Sequence, residues 1–229
     1  MARPKRTEQI DLQNAVKETA WKHIAENGAA AVSLRAIARA LNITAPAIYN
    51  YYPSRDDLIT ALIGDAYTSM GDAQFAAAAE APTGDHHTLF MALGTAYRKW
   101  AVRYPQRYQL IFGTPIQGFH ALPEATGPAA ARSLVPLVRC LESAFAAGAL
   151  RVPPPDSIPD RLRQELEQWA ELYGVREPAV LYTTLVVWSR VHGLVSLEIG
   201  THYPECITKT STIFQLEMER MVREYLVYR

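Results

Sequence analysis

Residues 33–58 read SLRAIARALNITAPAIYNYYPSRDDL. Ser33 is an N-cap type that can open a short helix over residues 34–41, with Ile37 and Leu41 on one face. Asn42, Ile43 and Thr44 make a tight turn. Thr44 can cap a second short helix that begins Ala45-Pro46, because proline is tolerated in a first helical turn. That helix ends near Tyr52-Pro53. Ser54 and Asp57 then supply the S-x-x-D spacing of a capping box, which opens a long helix toward residue 79. Two short helices joined by a three-residue turn are a helix-turn-helix. The first must brace the second through Ile37 and Leu41. The second must stay short and exposed to enter a major groove about 12 Å wide, with its N-terminal residues toward base edges. Of the three tyrosines here, Tyr52 is expected in the core and Tyr49 and Tyr51 outside.

Upstream, Leu12, Val16, Ala20 and Ile24 recur every four residues as one apolar stripe, and Asn27-Gly28 stops that helix. Arg3, Lys5 and Arg6 form a basic arm over residues 1–7, read either as a solvated tail or as an added phosphate or minor-groove contact. Downstream, helical period is expected at residues 86–103, 106–112, 129–147, 159–173, 178–199 and 205–228. Residues 114–128 are rich in Gly and Pro and read as loop, and 152–156 as an extended Pro linker. No strand pair or internal repeat is apparent. The expected class is all-α: an N-terminal three-helix helix-turn-helix bundle at 1–53 and a larger helical domain at 54–229.

Composition narrows the function. The 229 residues carry 23 Lys plus Arg against 23 Asp plus Glu, so no global charge draws the chain to nucleic acid or membrane. Residues 1–64 hold eight basic against six acidic side chains. Cys140 and Cys206 are too few for a disulfide framework and lack metal-ligand spacing. The start, MARPKRTEQ, lacks the apolar stretch of a signal peptide, and the longest charge-free apolar run, 178–189, is short for a membrane span. A cytoplasmic protein without membrane contact, cofactor or metal is expected. With no nucleophile-base-acid set and no phosphate-cradling glycine loop, an enzyme is not expected.

The run ITAPAIYNYYPSRDDL resembles the signature of TetR/AcrR-type transcriptional repressors, roughly V-S-x-x-x-L-Y-x-Y-F-x-S-K-E-x-L. Trp21, Gly28, Ser33, Leu34, Ile37 and Ala38 fit the pattern upstream of it. Trp188, His192 and Gly193 are similar to the motif of the WHG type of ligand domain in that family. The resemblance implies a homodimeric repressor. Its N-terminal bundle binds one half of a pseudo-palindromic double-stranded DNA operator, and its helical C-terminal domain dimerises and holds a small-molecule effector that triggers release. It also implies DNA contacts at Ser33, Arg35, Thr44, Ala45, Ala47, Tyr49, Asn50, Tyr51 and Arg55, with Tyr51 and Arg55 on phosphate. The chain departs from the pattern at Ala45 and Ala47, often polar, and at Pro46, often Gly. Alanines cannot hydrogen-bond base edges, though they can pack on thymine methyls.

Three further sets have two readings each. Tyr97, Trp100, Tyr104, Tyr108, Phe112 and Phe119 are either plain core or the wall of a pocket for an apolar or aromatic effector. Trp188 and His192, four apart on one helix face, are either structural or ligand contacts. Ser189, Gly193 and Ser196 form a small-residue stripe beside Leu185, and Phe214, Met218 and Met221 mark the last helix. Together they suit either intramolecular packing or an isologous four-helix dimer interface. A helical ligand-binding or interaction dimer without specific DNA binding is the alternative to the repressor.

Overall fold

The computed structural model describes residues 6–119 and 123–227. Arg3 and Lys5 of the basic arm and Tyr228 lie outside the described residues. Among the described residues ten α-helices run in order α1 (Arg6–Asn27), α2 (Leu34–Ala40), α3 (Ala45–Tyr49), α4 (Arg55–Glu80), α5 (His86–Arg103), α6 (Pro105–Phe112), α7 (Pro123–Ala146), α8 (Asp160–Tyr173), α9 (Pro178–Ile199) and α10 (Thr210–Tyr225). Among the described residues there is no strand, only an isolated antiparallel bridge between Leu150 and Leu226. The all-α expectation is met.

The chain forms two compact units. The first holds residues up to Thr68 together with Tyr104–Ala130, and the second holds Ser69–Arg103 with the chain from Ala131 onward. In the first unit the α1 stripe, Val16, Ala20 and Ile24, closes on Leu34 and Ile37 of α2, Ile48 of α3, Tyr52, and Leu58 and Leu62 of α4. Tyr52 is buried, as its place in the sequence suggested. Leu110 of α6 packs on the edge of this cluster, and the Arg107 guanidinium lies 5.3 Å from the Trp21 ring centre.

The second unit packs α5 on α9 and α10, and α8 on α9. Phe90, Leu93, Tyr97 and Trp100 of α5, Val187, Val191 and Val195 of α9, and Phe214, Met218 and Met221 of α10 are buried. A side chain at Gly94 would overlap the Met218 thioether, so α10 approaches α5 closely at that point. Thr183 and Thr184 enter this core because their hydroxyls donate to the carbonyls of Ala179 and Val180, both at 2.8 Å. By length and composition α9 could cross a membrane. Its buried valines serve this core, and it carries Arg190 and Glu198.

Two boundaries differ from the sequence reading. α7 begins at Pro123, inside the expected loop, and carries Gly127, Pro128 and Pro136. Proline removes one N–H, but its fixed φ is itself a helical value, so it does not exclude a helix that buries an apolar face. α10 begins at Thr210 and ends at Tyr225, shorter than the expected 205–228.

Candidate nucleic-acid interface

Local chemistry sets the α2–α3 angle. The Ser33 hydroxyl accepts from the Ala36 amide at 3.4 Å and caps α2. Asn42 adopts φ 54°, the left-handed conformation that asparagine tolerates better than most side chains, and this turns the chain. The Ile43 amide then returns to the Ala38 carbonyl at 3.0 Å. Thr44 is the N-cap of α3, but its side chain makes no capping bond, contrary to the sequence reading, so α3 starts on Pro46 in its first turn instead. Ile48 is fully buried and fixes the helix rotation. Thr44, Pro46, Tyr49 and Asn50 are consequently exposed, and Ala45 and Ala47 half-exposed. Tyr49 is 40% exposed, whereas Tyr51 is half-buried against the core.

The flanking cations divide. Arg35 and Arg39 are exposed on α2. Arg55 turns inward: its guanidinium donates to the carbonyls of Ala30 (3.1 Å) and Ala29 (3.5 Å), joining the start of α4 to the turn after α1. The side chain stays 32% exposed, with its second terminal nitrogen 3.7 Å from the Asp56 carboxylate. The capping box forms as read, with the Ser54 amide donating to the Asp57 carboxylate at 2.9 Å and the Asp57 amide donating to the Ser54 hydroxyl at 3.1 Å.

The first unit also contains a cavity of about 330 Å³. Ile63 and Tyr67 of α4, Leu110 of α6, the 113–119 segment with Ile116 and Phe119, and Thr126 of α7 line it. Sequence reasoning found Phe119 and missed the rest; the i, i+4 pair Ile63 and Tyr67 was the available signal. Burial raises the Tyr67 pKa and keeps the phenol protonated as a donor. Phe112 packs edge-on to Tyr67 at 5.8 Å and on Tyr108 at 5.1 Å. Tyr108 is core, and Tyr104 precedes α6, stacked with Arg107 at 4.6 Å.

The remaining candidates lie in the second unit. Tyr97 and Trp100 are core side chains with satisfied polar ends. The Trp100 indole donates to Ser69 at 3.0 Å, and the Tyr97 hydroxyl meets His192 Nδ1 at 2.9 Å. His192 Nε2 lies 3.3 Å from the Ser196 hydroxyl, and the Trp188 ring packs 5.4 Å from the imidazole. Burial lowers the His192 pKa, so the ring is neutral near pH 7. The hydrogen bonds support the structural reading of His192.

The α10 expectation is corrected. Phe214, Met218 and Met221 are buried within the protomer and cannot meet a second copy. The outward faces of α9 and α10 instead form a groove of about 590 Å³ that includes Ser189, Gly193, Leu194, Leu197, Ile213 and Leu216. Leu185 and Ser196 are half-buried. Leu197 is 42% and Leu216 58% exposed. Arg190 ties this surface together through Glu217 and Glu224.

Comparison with known proteins agrees with this architecture. Residues 18–62 match the family described as bacterial regulatory proteins, tetR family, and residues 90–221 match the tetracyclin repressor-like C-terminal domain. The chain is 30% identical over 217 residues to Mb1846, an HTH-type transcriptional regulator of Mycobacterium bovis, covering 94% of this chain and 92% of that one. The crystal structure of the regulatory protein SCO4313 superposes with TM-score 0.79 at 32% identity, covering 96% of this chain and all of that one. A tetR-family regulatory protein from Rhodococcus RHA1 shares the fold, with TM-score 0.65 at 17% identity over 95% of this chain and 98% of that one. The chain belongs to the tetR family of bacterial regulatory proteins, transcriptional regulators that act by binding DNA and are not enzymes.

Proposed function

We propose that the protein is a homodimeric repressor that holds a pseudo-palindromic operator through α2 and α3 and releases it when a small molecule enters the first-unit cavity. One observation carries this reading: Leu110 lines the cavity and also packs against the core that fixes α3. An occupant that displaces Leu110 disturbs the packing that orients the reading helix. The expected coupling is about 1–3 kcal/mol, or roughly 5–150-fold in operator affinity. DNA reading is assigned to residues 1–53, and effector binding and dimerisation to 54–229. The cytoplasm is the compartment of action.

The effector is uncharged and largely apolar or aromatic. Among the described residues no Lys, Arg, His, Asp or Glu lines the cavity, and Tyr67, Thr114 and Thr126 are its polar side chains. A charged occupant would lose hydration without a countercharge. Dimerisation is assigned to the exposed α9–α10 groove, an apolar strip with a charged rim of Glu217, Arg220 and Arg223. Two heads related by a two-fold axis then read half-sites about one helical turn apart. The Trp188, His192 and Gly193 triplet is assigned to a WHG-type domain, with His192 in a structural role.

The test needs no known effector. Fragments of the source genome bound by the full chain are selected, and affinity is measured against a scrambled sequence. A pseudo-palindrome preferred at least tenfold supports the reading. Ile116→Trp, which fills the cavity from its wall, is expected to weaken operator binding fivefold or more with helicity unchanged. Equal affinity for scrambled DNA would leave only the helical dimer without specific DNA binding.

A further inference from the structure

Residues 40–54, which contain the whole turn and reading helix, include no Asp, Glu, Lys, Arg or His. The structure sharpens this absence. Ile48 faces the core, so the surface that α3 offers is Thr44, Ala45, Pro46, Ala47, Tyr49 and Asn50. The cations that flank this stretch in the sequence lie elsewhere. Arg35 and Arg39 are on α2, and the Arg55 guanidinium is held on the carbonyls of Ala29 and Ala30.

Base-edge chemistry converts that surface into a preference. In the major groove guanine presents two acceptors, met best by a forked or long cation, and cytosine presents a donor, met by a carboxylate. α3 has neither. Thymine presents a methyl group that packs on Ala or on the methyl of Thr, and adenine presents the donor–acceptor pair that an Asn amide matches with two bonds. Building on the assignment of α2–α3 as the reading head, we propose that the base pairs beneath α3 are A·T. Their thymine methyls pack against Ala45, Pro46 and Ala47, and one adenine pairs with the Asn50 amide. The reading helix adds no ionic contact of its own, so the salt dependence of binding comes from other residues.

The test is selection by the full-length protein from a random duplex library, followed by measurements on the enriched site. The positions beneath α3 are those whose preference changes in Ala47→Arg or Asn50→Ala. The expected result is A·T at those positions. Replacing thymine there by deoxyuridine, which removes only the methyl, should weaken binding about fourfold per buried methyl. Asn50→Ala should flatten one adenine preference by about fivefold or more, and Ala47→Arg should recruit guanine. The deoxyuridine arm uses the unaltered protein and does not depend on any variant folding. G·C pairs at those positions, or deoxyuridine without effect at every one, would overturn the proposal while leaving DNA reading intact. Failure to enrich any sequence would overturn the reading head itself, and this proposal with it.

Discussion

Arg55→Ala separates an internal clamp from a phosphate contact. The resemblance places a cation at this position on phosphate, but here the guanidinium bonds the Ala30 carbonyl at 3.1 Å and reaches the Ala29 carbonyl only at 3.5 Å. Only the shorter bond has good geometry, and a hydrogen bond to a charged group contributes about 1.5–3 kcal/mol. The side chain is 32% exposed, and its Nε is buried without a partner among the described residues; both reduce the net value. About 1 kcal/mol remains once solvent screening is allowed for. For a chain of this size that lowers Tm by roughly 2–4 °C. A phosphate contact behaves differently: losing one changes the slope of log affinity against log salt by about 0.9. The assay pairs thermal unfolding by circular dichroism with operator binding at four salt concentrations. The clamp predicts a lower Tm with an unchanged slope, and Arg55→Lys should fall between, since one ammonium cannot copy the fork. An unchanged Tm with a shallower slope would refute the reasoning and restore Arg55 to the phosphate contacts.

Two other perturbations test the second unit. Leu216→Glu places charge on a side chain that is 58% exposed in the protomer; sedimentation should show a monomer with unchanged helicity, and a persistent dimer would move the interface elsewhere. Glu198 links α9 to Arg98 at 2.5–2.7 Å and to Thr210 at 2.8 Å. Burial alone would raise its pKa, but these hydrogen bonds and the Arg98 charge outweigh burial and hold it below the usual carboxylate range. The pair's stabilisation is therefore fully present above the unfolded value, about 4.3, and is lost as pH falls through the lower folded value. Urea titrations at pH 7 and pH 3 should show a smaller pH effect in Glu198→Gln than in the parent chain.

The reading head was legible because its signals are local. The cap at Ser33, the Ile37 and Leu41 spacing and the Ser54–Asp57 box each act within four residues, and packing kept them. The α10 interface was misread because that helix carries two apolar stripes. Phe214, Met218 and Met221 have the larger side chains and fill the core, which leaves Ile213 and Leu216 outside. Only tertiary packing chooses between such stripes. The Arg55 clamp was not legible because its acceptors, the carbonyls of residues 29 and 30, lie 26 and 25 residues away and are invisible to a motif. The aromatic set spread across core and cavity because sequence spacing reports the face of a helix, not what that face meets. The cavity wall draws on α4, α6, α7 and an irregular segment, a combination that no single period encodes.

The charge-free reading helix also bears on how such a regulator could diverge. Its side chains between Thr44 and Asn50 are small or neutral, and all but Ile48 lie off the core. Exchanges on that outer face leave the arginines of α2 and the packing beneath untouched. If α3 reads the bases as proposed, target choice and electrostatic grip are separately adjustable, and a duplicated copy could acquire a new operator through one or two exchanges while keeping its fold and its cavity.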